Sequence, residues 1–166
     1  MSRLPMQVAV IGGATCTPQQ EKLAYETGSE IARRGAVLLC GGRGGVMEAA
    51  SRGARDQGGR TVGILPGDSP VTSPPNPHIE LALFTGMGQA RNQVLVLSAQ
   101  GVIGIGGSWG TLTEIGLALK HGIPVVLLES WQLEPPDGES EPLMMSAQSP
   151  IEAVELVVAA AKNRSH

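Results

Sequence analysis

Aromatic residues are nearly absent: one Phe, one Tyr and two Trp, 2% of a chain of 166 residues. The core must therefore be built from Val, Ile, Leu, Ala and Met. Cysteine is equally scarce, with Cys16 and Cys40 far apart and no CxxC pair. That excludes a disulfide framework. In the absence of a secretory signal, the two are expected to be free thiols in a reducing cytosol. Long apolar runs are missing as well. The first one, residues 8–11, is too short for a signal core or a membrane span, and no later run reaches membrane length. The net charge of −3 comes with no basic stripe, so nucleic acid is not expected as a partner. The three histidines, His78, His121 and His166, are scattered. No ligand spacing appears, and no metal is expected.

What the chain has in excess is glycine, 23 residues placed between short apolar runs. That pattern points to a single α/β domain with tight turns between strands and helices. The central example is the stretch 102–114, VIGIGGSWGTLTE. Residues 102–105 read as a buried strand, Gly106 to Gly110 as a turn, and Thr111 as the start of a helix running to 121. A helix fed by a glycine turn presents unpaired backbone N–H groups and the positive end of its dipole, which together make an anion site. Glu114 lies one turn inside. It is either a first-turn carboxylate well placed on the dipole, or a carboxylate aimed at the group attached to a bound phosphate.

In chain order, residues 7–11 read as the first strand, followed by Gly12-Gly13 without the GxGxxG spacing. A helix over 18–34 starts with Pro18 at its first position. A second strand, 36–40, runs into Gly41-Gly42-Arg43-Gly44-Gly45 and a helix over 46–57. Four glycines in five residues imply close approach of backbone to a ligand. Arg43 either contacts an anion or is a solvated tip. A strand over 60–65, a Pro-rich loop or lid over 66–77 and a short strand over 80–84 come next. The helix over 88–98 carries Arg91 and Asn92 near its start. Arg91 is a ligand residue or a solvated one. Residues 93–97 are apolar enough to be buried, in the core or at a subunit contact. Strands over 123–128 and 142–147 and a helix over 151–162, capped by Ser149, complete the chain, and residues 163–166 should fray. Such alternation implies a Rossmann-like, doubly wound, mainly parallel sheet with helices on both faces and a ligand cleft at the carboxyl ends of the strands.

The segments CGGRGGVMEAA (40–50) and GSWGTLTE (107–114) resemble the paired motifs of the Lonely Guy superfamily, GGGxxGLMG and PGGxGTxxE. Within it, residues 41–49, the Ala90-Arg91-Asn92 triplet and residues 110–115 are most similar to the branch containing molybdenum-cofactor carrier proteins. The resemblance implies a Rossmann-like fold, a homodimer or homotetramer in the cytoplasm, and a phosphate held between the two glycine loops. It implies a nucleoside 5′-monophosphate phosphoribohydrolase, releasing free base and ribose 5-phosphate, with Arg91 and Glu114 catalytic and no cofactor required. The binding set expected around them is Gly12, Gly41, Gly42, Arg43, Gly44, Gly45, Met87, Asn92, Gly106, Gly107, Ser108, Gly110 and Thr111. The sequence departs from the superfamily pattern at Cys40, Glu48, Asn92, Gly106 and Ser108. Those departures favour the alternative, a non-catalytic carrier of molybdopterin, the phosphorylated pterin that carries molybdenum. In either case the expected partner is a small phosphorylated ligand, a nucleoside monophosphate or the pterin, and no membrane.

Overall fold

The computed structural model describes residues 4–164 and the backbone alone at residue 164. Seven strands form one sheet: β1 (Gln7–Gly12), β2 (Val37–Cys40), β3 (Thr61–Leu65), β4 (Leu81–Phe84), β5 (Gly101–Ile105), β6 (Val125–Leu128) and β7 (Met144–Ser146). Their order across the sheet is β4-β3-β2-β1-β5-β6-β7, and all six pairings are parallel. Five helices, α1 (Pro18–Arg33), α2 (Val46–Asp56), α3 (Arg91–Ser98), α4 (Trp109–Lys120) and α5 (Pro150–Arg164), cover both faces. This is the doubly wound, Rossmann-like architecture that the alternation implied.

The strands split the core in two. Val8 and Val10 of β1 pack with α1, α2 and α5 on one face, while Ala9 and Ile11 pack with α3 and α4 on the other. Burial on both faces explains why the strands read as continuous apolar runs rather than alternating ones. Few rings are available, so the largest fully buried side chains are Ile and Leu.

Local chemistry sets the helix ends. Thr17 and Gln20 cap α1 reciprocally: Gln20 N donates to Thr17 Oγ1 at 3.2 Å, and Thr17 N donates to Gln20 Oε1 at 3.1 Å. Such a box satisfies two N–H groups that the helix leaves unpaired. On the same face, α1 and α2 approach closely through Gly28 and Gly53. A Cβ at Gly28 would lie 1.9 Å from the Ala50 carbonyl oxygen.

Strand order reverses between β1 and β5. The chain leaves β4 at the far edge, crosses through α3 and returns beside β1. Ligands of open parallel sheets bind at such a point, beyond the carboxyl ends of the strands. The glycine turns after β1, β2 and β5 all leave that end.

Several expected boundaries move. α4 begins at Trp109 with Ser108 as its N-cap, not at Thr111. The segment 88–98 divides into a single 3-10 turn, Gly88–Ala90, and α3. Two of its residues, Gln93 and Leu97, lie outside the core and are exposed on the single chain. The strand expected from 123 starts at Val125, and the last edge strand is shorter than expected. Residues 163–164 continue α5 instead of fraying. Ser165 and His166, also expected to fray, lie outside the described residues.

Candidate functional site

The turn after β5 is shaped by two glycines, Gly106 at φ 60° and Gly107 at φ 151°. A side chain would be strained at either angle. A Cβ on Gly106 would strike the Gln20 side chain, and one on Gly107 would strike the Trp131 indole, each at 2.6–2.7 Å. The loop is thus clamped between α1 and the segment after β6. The Ser130 hydroxyl adds a hydrogen bond to the Gly106 carbonyl. The first N–H groups of α4, at Trp109 and Gly110, have no acceptor within the helix. They lie with the positive dipole end at the mouth of the loop, the arrangement required for an anion.

Thr111 is buried at the third helical position, and its hydroxyl accepts the Ser108 N–H at 3.1 Å. Thr111 therefore organises the turn from within. Glu114 follows on the same face, with Ile115 and Ala118. Because α4 starts two residues early, Glu114 occupies the sixth helical position and not the first turn. That position overturns its reading as a first-turn carboxylate on the dipole, an effect that fades within one turn. It is 8% exposed, and burial pushes its carboxyl up to about 7, against the pull of Arg91 in the opposite direction.

Arg91, the first residue of α3, is 9% exposed and donates from Nη1 to the Ile64 carbonyl oxygen at 2.7 Å. It is not a solvated surface residue. Its guanidinium lies over the end of β2, where a Cβ on Gly41 would be 2.2 Å from Nη1. Burial pulls its pKa down, while the nearby Glu114 and Cys40 push it up. Its Nε has no hydrogen-bond partner, nor has Oδ1 of the neighbouring Asn92, and both atoms are buried. Arg91 and Glu114 feel each other's charge without a direct ion pair.

The turn after β2 completes the cluster. Gly42 N donates to the Cys40 sulfur at 3.3 Å. The Cys40 thiol is pushed up by burial, so it stays protonated. Val46 N donates to the Gly13 carbonyl at 3.1 Å, so the first N–H of α2 is already used. Gly12 serves packing: a Cβ there would meet the Ile105 oxygen and Val46 at 2.6 Å. Gly44 and Gly45 lie against Ala14 and Gly13 of the same β1 turn. The Arg43 side chain is exposed, while its carbonyl is held by Nδ2 of Asn76 at 2.9 Å. Met87 is half-exposed on the loop after β4, beside Thr85.

The fold therefore brings Gly41, Arg91 and Glu114 together beside the 106–111 turn. Met87 sits on the outer loop before α3, and Gly12 is structural. Sequence reasoning missed Asn76, Ser130 and Trp131. Asn76 folds the Pro-rich loop onto the β2 turn, with its N–H donating to the Gly42 carbonyl at 2.8 Å. Its only local signal is its place between Pro75 and Pro77. Among the described residues, no group of His, Cys, Asp and Glu side chains is arranged to hold a metal ion. No helix among them is long and apolar enough to cross a membrane.

Comparison with known proteins agrees with the fold. A molybdenum cofactor binding protein of Rippkaea orientalis superposes with a TM-score of 0.85 at 38% identity, covering 95% of this chain and 98% of that one. The molybdenum cofactor carrier protein of Chlamydomonas reinhardtii gives 0.81 at 32%, covering 95% and 99%. A cytokinin riboside 5′-monophosphate phosphoribohydrolase of Mycobacterium marinum is 33% identical over 132 residues, 75% of this chain and 71% of its own. Residues 5–161 match the SLOG cluster4 family, and with a sheet, glycine turns and relatives of this kind the chain belongs to that family.

Proposed function

We propose that the chain binds a phosphorylated, ring-bearing small molecule at the carboxyl edge of its sheet, as a carrier of a phosphorylated pterin that holds molybdenum. One observation carries this reading. End-to-end similarity to proteins described as binding or carrying the molybdenum cofactor coincides with a helix start behind a glycine turn whose first two N–H groups have no acceptor within the helix. The N–H groups of Trp109 and Gly110 take the phosphate, and Gly106 and Gly107 keep side chains out of its way. The molybdenum travels on the pterin as cargo and asks no ligands of the protein. The departures from the hydrolase pattern at Cys40, Asn92, Gly106 and Ser108 point the same way.

A second reading is favoured by one feature, the buried Glu114 carboxyl with a pKa of about 7 beside Arg91. An acid poised near neutrality is suited to proton transfer. As a carboxylate it would stabilise a sugar cation as a base leaves, or orient the attacking water, as in glycoside hydrolysis. Arg91 would position the phosphate or assist departure of the base. The reaction is then hydrolysis of a nucleoside 5′-monophosphate to base and ribose 5-phosphate.

Mass spectrometry of the small molecules released on denaturing the purified protein, run beside an assay for base release from AMP, separates the two. The carrier reading expects a phosphorylated pterin and no free base. Base released by the native chain and not by Glu114→Gln would replace it with the hydrolase.

A further inference from the structure

We infer that a cavity above the carboxyl ends of β6 and β7 is a second ligand subsite, built for the uncharged, ring-bearing half of a diphosphate-linked ligand. The inference rests on the phosphate position proposed for the 106–110 turn.

The cavity, open to solvent on one side, offers about 320 Å³ between the first turns of α1, residues 129–132 and residues 146–148. Its wall carries the amides of Gln19, Gln132 and Gln148, the hydroxyls of Ser130 and Ser146, and one carboxylate, Glu129. No lysine or arginine of the described residues lines it. Such a wall offers donors and acceptors in pairs and nothing to neutralise an anion. It matches the edge of a nitrogen-rich heteroaromatic ring or the hydroxyls of a sugar, and rejects a terminal phosphate.

The shape is imposed by the backbone. Glu129 is the one described residue other than glycine with positive φ, at 50°. Left-handed backbone is costly for a side-chain-bearing residue and persists where its surroundings require it. Here it turns the chain out of β6, so that Ser130 reaches the Gly106 carbonyl and Trp131 lies against Gly107. The cavity and the glycine turn therefore share a wall.

That shared wall is aromatic. Both tryptophans of the chain meet there, Trp109 and Trp131, with ring centroids 5.4 Å apart and planes tilted by 40°. Trp109 is the first residue of α4 and is 77% exposed. In a chain with four aromatic side chains, a pair at one spot with one ring left to solvent offers a stacking surface for a planar ring. The turn thus has Arg91 and Glu114 on one side and the tryptophan pair with its cavity on the other. A ligand ending in phosphate occupies only one side. A diphosphate bridging the turn places a group on each.

Calorimetric titration of the whole chain with AMP and with diadenosine diphosphate tests this, repeated on the Gln132→Ala/Gln148→Ala double variant, whose positions are exposed and outside the core. The expected result is at least tenfold tighter binding of the dinucleotide than of AMP. The variant should abolish that advantage and leave AMP affinity unchanged. Equal affinities, or an advantage that survives the variant, would overturn the second subsite while leaving the phosphate site standing. Failure of both compounds to bind would overturn the subsite, while the phosphate position is judged separately by whether a phosphorylated ligand is released on denaturation.

Discussion

Glu114 sits in an environment far from that of a carboxyl in solution. Its carboxyl ordinarily titrates at 4.5, and burial in the fold raises that to about 7. Between those values the folded chain holds a proton that the unfolded chain has lost. Stability therefore falls as pH rises through this window, by about 3 kcal/mol for the full shift. Chemical denaturation of the native chain and of Glu114→Gln at pH 5 and pH 8 checks the sign. The native chain should lose stability relative to the variant on going to pH 8. Two profiles that run parallel would mean the carboxyl titrates normally. The type and position of Glu114 were legible from a motif. Its burial was not, because burial depends on where α3 lays Arg91 and on α4 starting two residues earlier than the glycine pattern suggested.

Among the elements, the contact between α1 and α2 is the one most dependent on single residues. Gly28→Ala would drive a Cβ into backbone at 1.9 Å, with no flexible side chain to yield. A loss of about 3 kcal/mol is expected from such overpacking. Gly116, inside α4, has nothing within 4 Å of its would-be Cβ. Gly116→Ala should therefore stabilise by about 0.5–1 kcal/mol through helix propensity alone. Thermal unfolding of both variants against the native chain measures the pair, and equal effects would contradict the packing described. Most elements were legible from sequence within a residue or two, since apolar runs and glycine punctuation act locally. The start of α4 escaped because its N-cap, Ser108, lies inside the glycine turn.

At the scale of the molecule, one edge of the sheet is left greasy. Leu81 and Leu83 of β4 pair in register with Val62 and Ile64, which face the α3 and α4 side, and both are about half exposed. Leu97 of α3, on that side, is exposed to the same degree. Apolar side chains gathered at an unpaired strand edge invite association. We propose that a second copy of the chain covers them, in keeping with the homodimer or homotetramer expected from the sequence. Light scattering behind size exclusion should give a dimer or larger for the native chain and a monomer for Leu83→Glu/Leu97→Glu. A native monomer would remove the proposal.

The sequence by itself determined that strands and helices alternate, that three glycine turns follow strands, and that Glu114 stands just after one of them. These are consequences of hydrophobic periodicity and backbone freedom, which operate over a few residues. Only the tertiary structure decided which face of the β5 turn meets which partner. The left-handed turn at Glu129, the placement of Trp131 against Gly107 and the fold of Asn76 onto the β2 turn join residues 24 to 34 positions apart. Contacts of that reach are set by the order of strands across the sheet, and no local pattern in the chain encodes it.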